Sequence, residues 1–271
     1  MRWRNVVRRL VVGVAWVAIQ RALLVGHQLF HNACWSLRWL ALERECEPTA
    51  YALTHRNQKQ LAGWVAVVGD ASIEAVMECL EELEEDKALR DHLRAGPREV
   101  ARLADADVFY GSRVAAYVLT RLRRPRTVVE SGVESGLVGC MVAAALERNA
   151  AEGHPGFYFG LDPYPGAGTL LSGRYERYGW ILAGATLEAL KEIEQVDLYL
   201  HSRRCSTEHE GREYETLQSR LTEDALVLSA TAHATDALHD FALGSGRRYL
   251  HFAEEPHEHW YRGGGLGAAF L

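Results

Sequence analysis

Four short segments of the chain place charged, hydrogen-bonding or nucleophilic groups directly after apolar runs. They are Glu130-Ser131-Gly132-Val133-Glu134-Ser135-Gly136, Gly160-Leu161-Asp162-Pro163-Tyr164, His201-Ser202-Arg203-Arg204 and Ser229-Ala230-Thr231-Ala232-His233. Gly132 and Gly136 allow a backbone turn to approach a ligand closely before a helix begins. An acid roughly 20–30 residues past such a turn, at the next strand end, is suited to accept hydrogen bonds from ribose hydroxyls, and Asp162 has that spacing. Imidazole titrates near neutral pH, so His201, His209 and His233 are the candidate proton carriers, His201 first because it ends an apolar run. For each, the alternative is a structural or solvent-facing histidine. Arg203 and Arg204 suit a carboxylate or phosphate on an acceptor, or else a solvated loop. Cys205 is a nucleophile by residue type, but nothing in the sequence pairs a base with it.

These segments need elements to hold them. From Thr127 onward, short apolar runs alternate with helical patterns. The runs 127–131, 157–162, 179–183, 196–201 and 225–229 read as strands, and the stretches near 137–150, 186–194, 208–221 and 234–243 as helices. Such alternation implies a mainly parallel sheet with right-handed crossovers, in which ligands bind outside the carboxyl ends of the strands. The runs 248–252 and 266–270 have no strong helix between them and suit an antiparallel pair at one edge. Before the sheet, the chain from about Thr49 to Arg124 reads as helical. There Ile73, Val76, Met77 and Leu80 form a stripe, and the acidic cluster Glu78 to Asp86 reads as a solvated helix face. Gly96-Pro97 marks a break. The expected division is a helical extension over 1–105 and a sheet domain over 106–271.

Residues 126–271 resemble a class I S-adenosylmethionine (SAM)-dependent methyltransferase of the small-molecule O-methyltransferase branch. TVVESGVESGLVGCMVAAALE is similar to that family's first motif and FYFGLDP to its second. VDLYLHS and LVLSATAH are similar to its fourth- and fifth-strand motifs. The resemblance implies an α/β fold: a Rossmann-like methyltransferase sheet, mainly parallel with an antiparallel edge, and a helical N-terminal extension. It implies SAM as cofactor, with Glu130, Gly132, Glu134 and Gly136 along its methionine side and Asp162 on the ribose. His201 would lie near the transferred methyl, with Glu208 and His209 at the start of the following helix. Glu134 replaces the family's middle glycine, and Gly184-Ala185 stand where Gly-Asp is frequent. Metal-using relatives carry carboxylates where this chain has Ser202, Ala230 and Thr231, so no metal is expected. The expected function is metal-independent methyl transfer to a small-molecule acceptor. The alternative is a repurposed or inactive protein of this fold, acting as a partner subunit or catalysing a different reaction.

The 271 residues carry a net charge of -6 with a pI near 6.1, which argues against a general nucleic-acid binder. The five cysteines are scattered without CxxC spacing, which implies neither a disulfide scaffold nor a zinc ribbon and suits a reducing, cytoplasmic setting. Residues 1–42 hold Arg2, Arg4, Arg8, Arg9, Arg21 and Arg38 and no acid. The apolar run Leu10–Ile19 covers only about half of a bilayer core before Gln20 and Arg21, so no membrane span is expected. No signal-peptide cleavage pattern follows it. Leu23, Phe30, Cys34, Leu37 and Ala41 share a helical face. Two readings stand: two helices packed on the rest of the protein or on a second copy, or a basic helix on an anionic membrane surface through residues 1–30. A homodimer is the default assembly.

Overall fold

A computed structural model describes residues 2–42, 51–96 and 111–271. The chain forms two compact units. The first is residues 1–44 with 258–261, and the second holds everything else. The expected boundary between 105 and 106 lies outside the described residues, as does Pro97.

The first unit is built on one helix, α1 (Arg2–Leu42), where two helices were one expectation. Gln20 and Arg21 interrupt the apolar run but are good helix formers, and α1 contains no proline, so nothing ends the helix between the two patterns. Arg38 pairs with Glu258 at 2.9 Å, and Trp39 meets Trp260 edge-on at 5.5 Å. Leu23, Leu24, Phe30, Leu37 and Leu40 are all about two-thirds exposed or more. Among the described residues, no helix is long and apolar enough to cross a membrane.

In the second unit, α2 (His55–Gly69), α3 (Ile73–Glu84), α4 (Lys87–Ala95) and α5 (Val114–Arg123) precede the sheet. Their starts are set by side-chain caps. Thr54 accepts the Asn57 N–H, Ser72 that of Ala75 and Asp86 that of Leu89. The stripe on α3 is only partly a core face: Val76 is buried, whereas Ile73 and Met77 are exposed. The acidic cluster is also not wholly solvated. Glu82 accepts bonds from Tyr117 and Arg121, and Asp86 one from Arg148. The arginines hold the Glu82 carboxyl below its usual value despite burial.

The sheet alternates with α6 (Leu137–Ala151), α7 (Thr186–Lys191), α8 (Thr207–Gln218) and α9 (Ala237–Ser245). Its strands are β1 (Thr127–Ser131), β2 (Phe157–Asp162), β3 (Gly179–Ala183), β4 (Val196–His201), β5 (Leu221–Ser229), β6 (Arg248–Ala253) and β7 (Gly265–Phe270). The order is β3-β2-β1-β4-β5-β7-β6. Strands β1 to β5 are parallel, and β7 is antiparallel to both its neighbours. This is the Rossmann-like, mainly parallel sheet with an antiparallel edge. Central strands are apolar on both faces because helices cover both. Val129, Tyr199, Val227, Tyr214 and Leu217 share one core, while Tyr117, Met141 and Leu146 are buried elsewhere on α5 and α6. Register does the rest. Ser131 is level with Leu161 on one side and His201 on the other, and His201 is level with Ser229. Four polar strand ends therefore open on one edge, and the strand order reverses between β1 and β4.

Candidate functional site

The turn after β1 is the first wall. Gly132 and Gly136 have φ of +82° and +87°, a region costly for other residues. Both are also required by close contacts. A Cβ at Gly132 would stand 2.1 Å from the Arg203 Cβ, and one at Gly136 would stand 2.9 Å from the Gly168 Cα. Between them, Glu134 has φ +52°, so the residue in the glycine's usual place keeps the glycine's conformation. Its side chain is exposed, and its carbonyl accepts the Gly168 N–H at 2.8 Å. Asp162 is buried at the end of β2. Its two oxygens accept the N–H of Glu134 at 3.1 Å and of Tyr164 at 2.9 Å. The acid thus ties the glycine turn to the β2 end.

Glu130 is buried and accepts a 2.5 Å bond from the Tyr158 hydroxyl. Burial pushes its carboxyl up to about 7, against hydrogen bonds from Ser202 and Tyr158 that favour the anion. It does not line the pocket.

The pocket lies across the β1/β4 reversal and has a volume of about 350 Å³. Its wall includes Ser131, Gly132, Pro163 and Thr186 on one side and His201 and Arg203 to Ser206 on the other, with His209 and Glu213 from α8. His201 is buried, with Nδ1 2.8 Å from the Glu213 Oε2. Its Nε2 faces the Cys205 Sγ at 3.6 Å. Burial opposes a charge on His201. The bonds to Cys205 and Glu213 and the charges of Glu213 and Glu210 outweigh it, and the imidazole is pushed up to about 10. Glu213 also accepts bonds from the Ser131 and Tyr199 hydroxyls, each at 2.8 Å, and His209 Nε2 lies 3.2 Å from its Oε1. Burial raises the Glu213 pKa, but these partners, His201 first, bring it below the usual carboxylate value. One turn away, buried Glu210 takes the hydroxyls of Tyr214, Ser229, Thr231 and Thr235.

The structure therefore brings His201, His209, Gly132 and Cys205 to one pocket, with Asp162 fixing the turn beside it. It does not bring His233 there: that residue is exposed and lies against Gly264 and near His251, further along the sheet edge. Ser112 donates its N–H to Glu254 at 2.6 Å, just past the β6 end. Sequence reasoning missed Glu210 and Glu213. A signal existed, because both share a helical face with Tyr214 and Leu217, which marks it as inward. Among the described residues, no group of three or more His, Cys, Asp or Glu is arranged to hold a metal ion.

No family model and no curated protein matches the chain. Among solved structures it is similar to the O-methyltransferase of tomaymycin synthesis from Streptomyces achromogenes, determined with SAM. Identity there is 15%, over 69% of this chain and 90% of that one, with a TM-score of 0.49. It is similar to a Podospora anserina methyltransferase bound to S-adenosylhomocysteine, at 11% identity over 81% and 97% of the two chains, TM-score 0.47. It is also similar to a Geobacter sulfurreducens methyltransferase, at 16% identity over 59% and 77%, TM-score 0.45. The chain's own strand order carries the fold assignment: Rossmann-like, mainly parallel with an antiparallel edge.

Proposed function

We propose that the chain binds SAM at the β1/β4 reversal and transfers its methyl group to a small-molecule acceptor without a metal ion. Asp162 is the observation that supports this most. Its buried carboxylate holds the Glu134 amide, yet each oxygen keeps a lone pair for a ribose hydroxyl. With Pro163 and Thr186 beside it on the pocket wall, the residues fit a nucleoside. The fit is tighter toward the methionine end, where Arg203 packs on Gly132. When bound, SAM supplies a carbon already activated for displacement. The chain's residues orient and exchange protons. Arg203 and Arg204 on the pocket wall suit an anionic group of the acceptor. His201 is an imidazolium at neutral pH, so it presents a positive charge to a bound acceptor. His209, half-exposed on the pocket wall, is the histidine suited to remove an acceptor proton.

A second reading has its own support. Both glycines serve the chain's internal contacts, as they would in a protein of this fold that acts as a partner subunit or catalyses a different reaction. Titration calorimetry with SAM and S-adenosylhomocysteine separates the two. The expected result is saturable binding that Asp162→Ala abolishes, with Asp162→Asn retained as a fold control. No heat at millimolar ligand would overturn the SAM reading in favour of the second.

We also propose that residues 1–30 rest on an anionic membrane surface. The support is the exposed apolar face at Ile19, Leu23, Leu29 and Phe30, together with the arginines of α1 and the absence of any acid before residue 43.

A further inference from the structure

We propose that Cys205, His201 and Glu213 form a nucleophilic triad that attacks the acyl carbon of an anionic ester or thioester. Nothing in the sequence pairs a base with Cys205, because that base lies across the bend that follows β4. In the fold, a thiol, an imidazole and a carboxylate stand in line at 3.6 Å and 2.8 Å. That is the arrangement of nucleophile, base and orienting group required for covalent catalysis. Each member is where its role requires. Cys205 is half-buried and lines the pocket. His201 is buried, with one ring nitrogen on each partner. Glu213 is buried and held by the Ser131 and Tyr199 hydroxyls, so it fixes the ring without competing for the thiol.

The surroundings of the triad are also placed for the chemistry. Cys205 immediately precedes Ser206, the cap of the 12-residue helix α8, so its sulfur stands at the N-terminal end of that helix. Burial opposes a charge on His201, but its bonds to Cys205 and Glu213 and the charges of Glu213 and Glu210 outweigh it, so His201 remains protonated at neutral pH. The other charged groups on the same wall are His209, Arg203 and Arg204. The two arginines select an anionic substrate.

The chemistry balances with water alone. The Cys205 thiolate forms a C–S bond to the carbonyl carbon. The C–O or C–S bond to the leaving group breaks, and that group takes the proton from His201 Nε2. Water then attacks the thioester and gives a proton to His201. The C–S bond to Cys205 breaks, and the thiolate–imidazolium pair returns. This activity stands apart from methyl transfer and does not need SAM, so calorimetry with SAM and the test below succeed or fail independently.

The test is alkylation of the whole protein by iodoacetamide from pH 5.5 to 9, read by peptide mass spectrometry, with exposed Cys34 as the internal reference. At pH 6, Cys205 should react at least about tenfold faster than Cys34, because an ordinary thiol is almost wholly protonated there. His201→Gln should return Cys205 to the profile of Cys34. In parallel, the mono-4-nitrophenyl ester of succinic acid should release nitrophenolate in a burst. Acid-quenched samples should carry the succinyl group on the Cys205 peptide, and Cys205→Ala should show neither. A Cys205 profile that follows Cys34 in the wild-type protein, or no acyl adduct on Cys205, overturns the proposal. Both readings are made on the wild-type protein, so they hold even if His201→Gln unfolds.

Discussion

At the scale of residues, the centre of the site is a carboxylate that faces away from solvent. Glu213 collects two hydroxyls and two imidazoles, so its charge is matched but wholly dependent on them. Removing one partner of a buried ion pair costs about 3–5 kcal/mol, and Glu213→Gln should lower the stability from urea unfolding by that order at pH 7. The pH dependence has a defined sign. His201 moves from 6.5 to about 10 on folding, so its contribution is complete below 6.5 and is lost as pH rises toward 10. Glu130 moves from 4.5 to about 7, so its contribution is complete below 4.5 and is lost by about pH 7. Stability should therefore fall steadily on the alkaline side. Glu130→Gln, which mimics the protonated acid, should gain stability over the wild type at pH 8 and not at pH 4.5. Urea midpoints at the two pH values decide this. Of these residues, His201 could be read in the sequence because it ends an apolar run. Glu210 and Glu213 could not be read in the same way, because glutamate on a helix is usually solvated and only burial by α7, α9 and the sheet reverses that expectation.

At the scale of elements, the glycine turn and the loop after β2 form one backbone-bonded structure. Gly168 and Leu170 donate to Glu134 and Ser135, and Gly136 leaves room for Gly168. Gly136→Ala adds a Cβ against backbone in a left-handed conformation. It should cost about 1–3 kcal/mol, read as a lower thermal midpoint, and should weaken nucleotide binding in proportion. The elements themselves were largely legible. Strands β1 to β4 span the residues that alternation assigns to them, and the last two apolar runs pair antiparallel. The differences have physical reasons. Strand β5 starts at Leu221, four residues before the expected 225, because Glu223 and Asp224 stay exposed within the strand and disguise it. The register between β4 and β5 shifts there as well. Helix α1 continues through Gln20 and Arg21 because periodicity marks faces, not ends. The Cys205–His201 contact was invisible because it depends on a bend, and four-residue spacing outside a helix fixes no distance.

At the scale of the whole molecule, the net charge of -6 combines an acid-free α1 with an acidic remainder. If α1 lies on a membrane, the full chain should co-sediment with vesicles rich in anionic lipid and lose most of that binding above about 0.5 M salt, where surface attraction is screened. Removing residues 2–21 should abolish it. Equal binding with and without those residues rejects the membrane surface, and a doubled mass in solution would point instead to pairing of two copies. The sheet has a consequence in time. Strand β7 is the last strand described, yet it is bonded on one side to β5 and on the other to β6, both made before it. Until Gly265–Phe270 leaves the ribosome, those two strands have no partner on the faces that β7 will join, and each presents an open edge. The half of the molecule with the site's fourth strand end therefore waits for a strand synthesised after both of its neighbours, and stalled synthesis between β6 and β7 leaves β5 and β6 with unpaired edges, prone to aggregation.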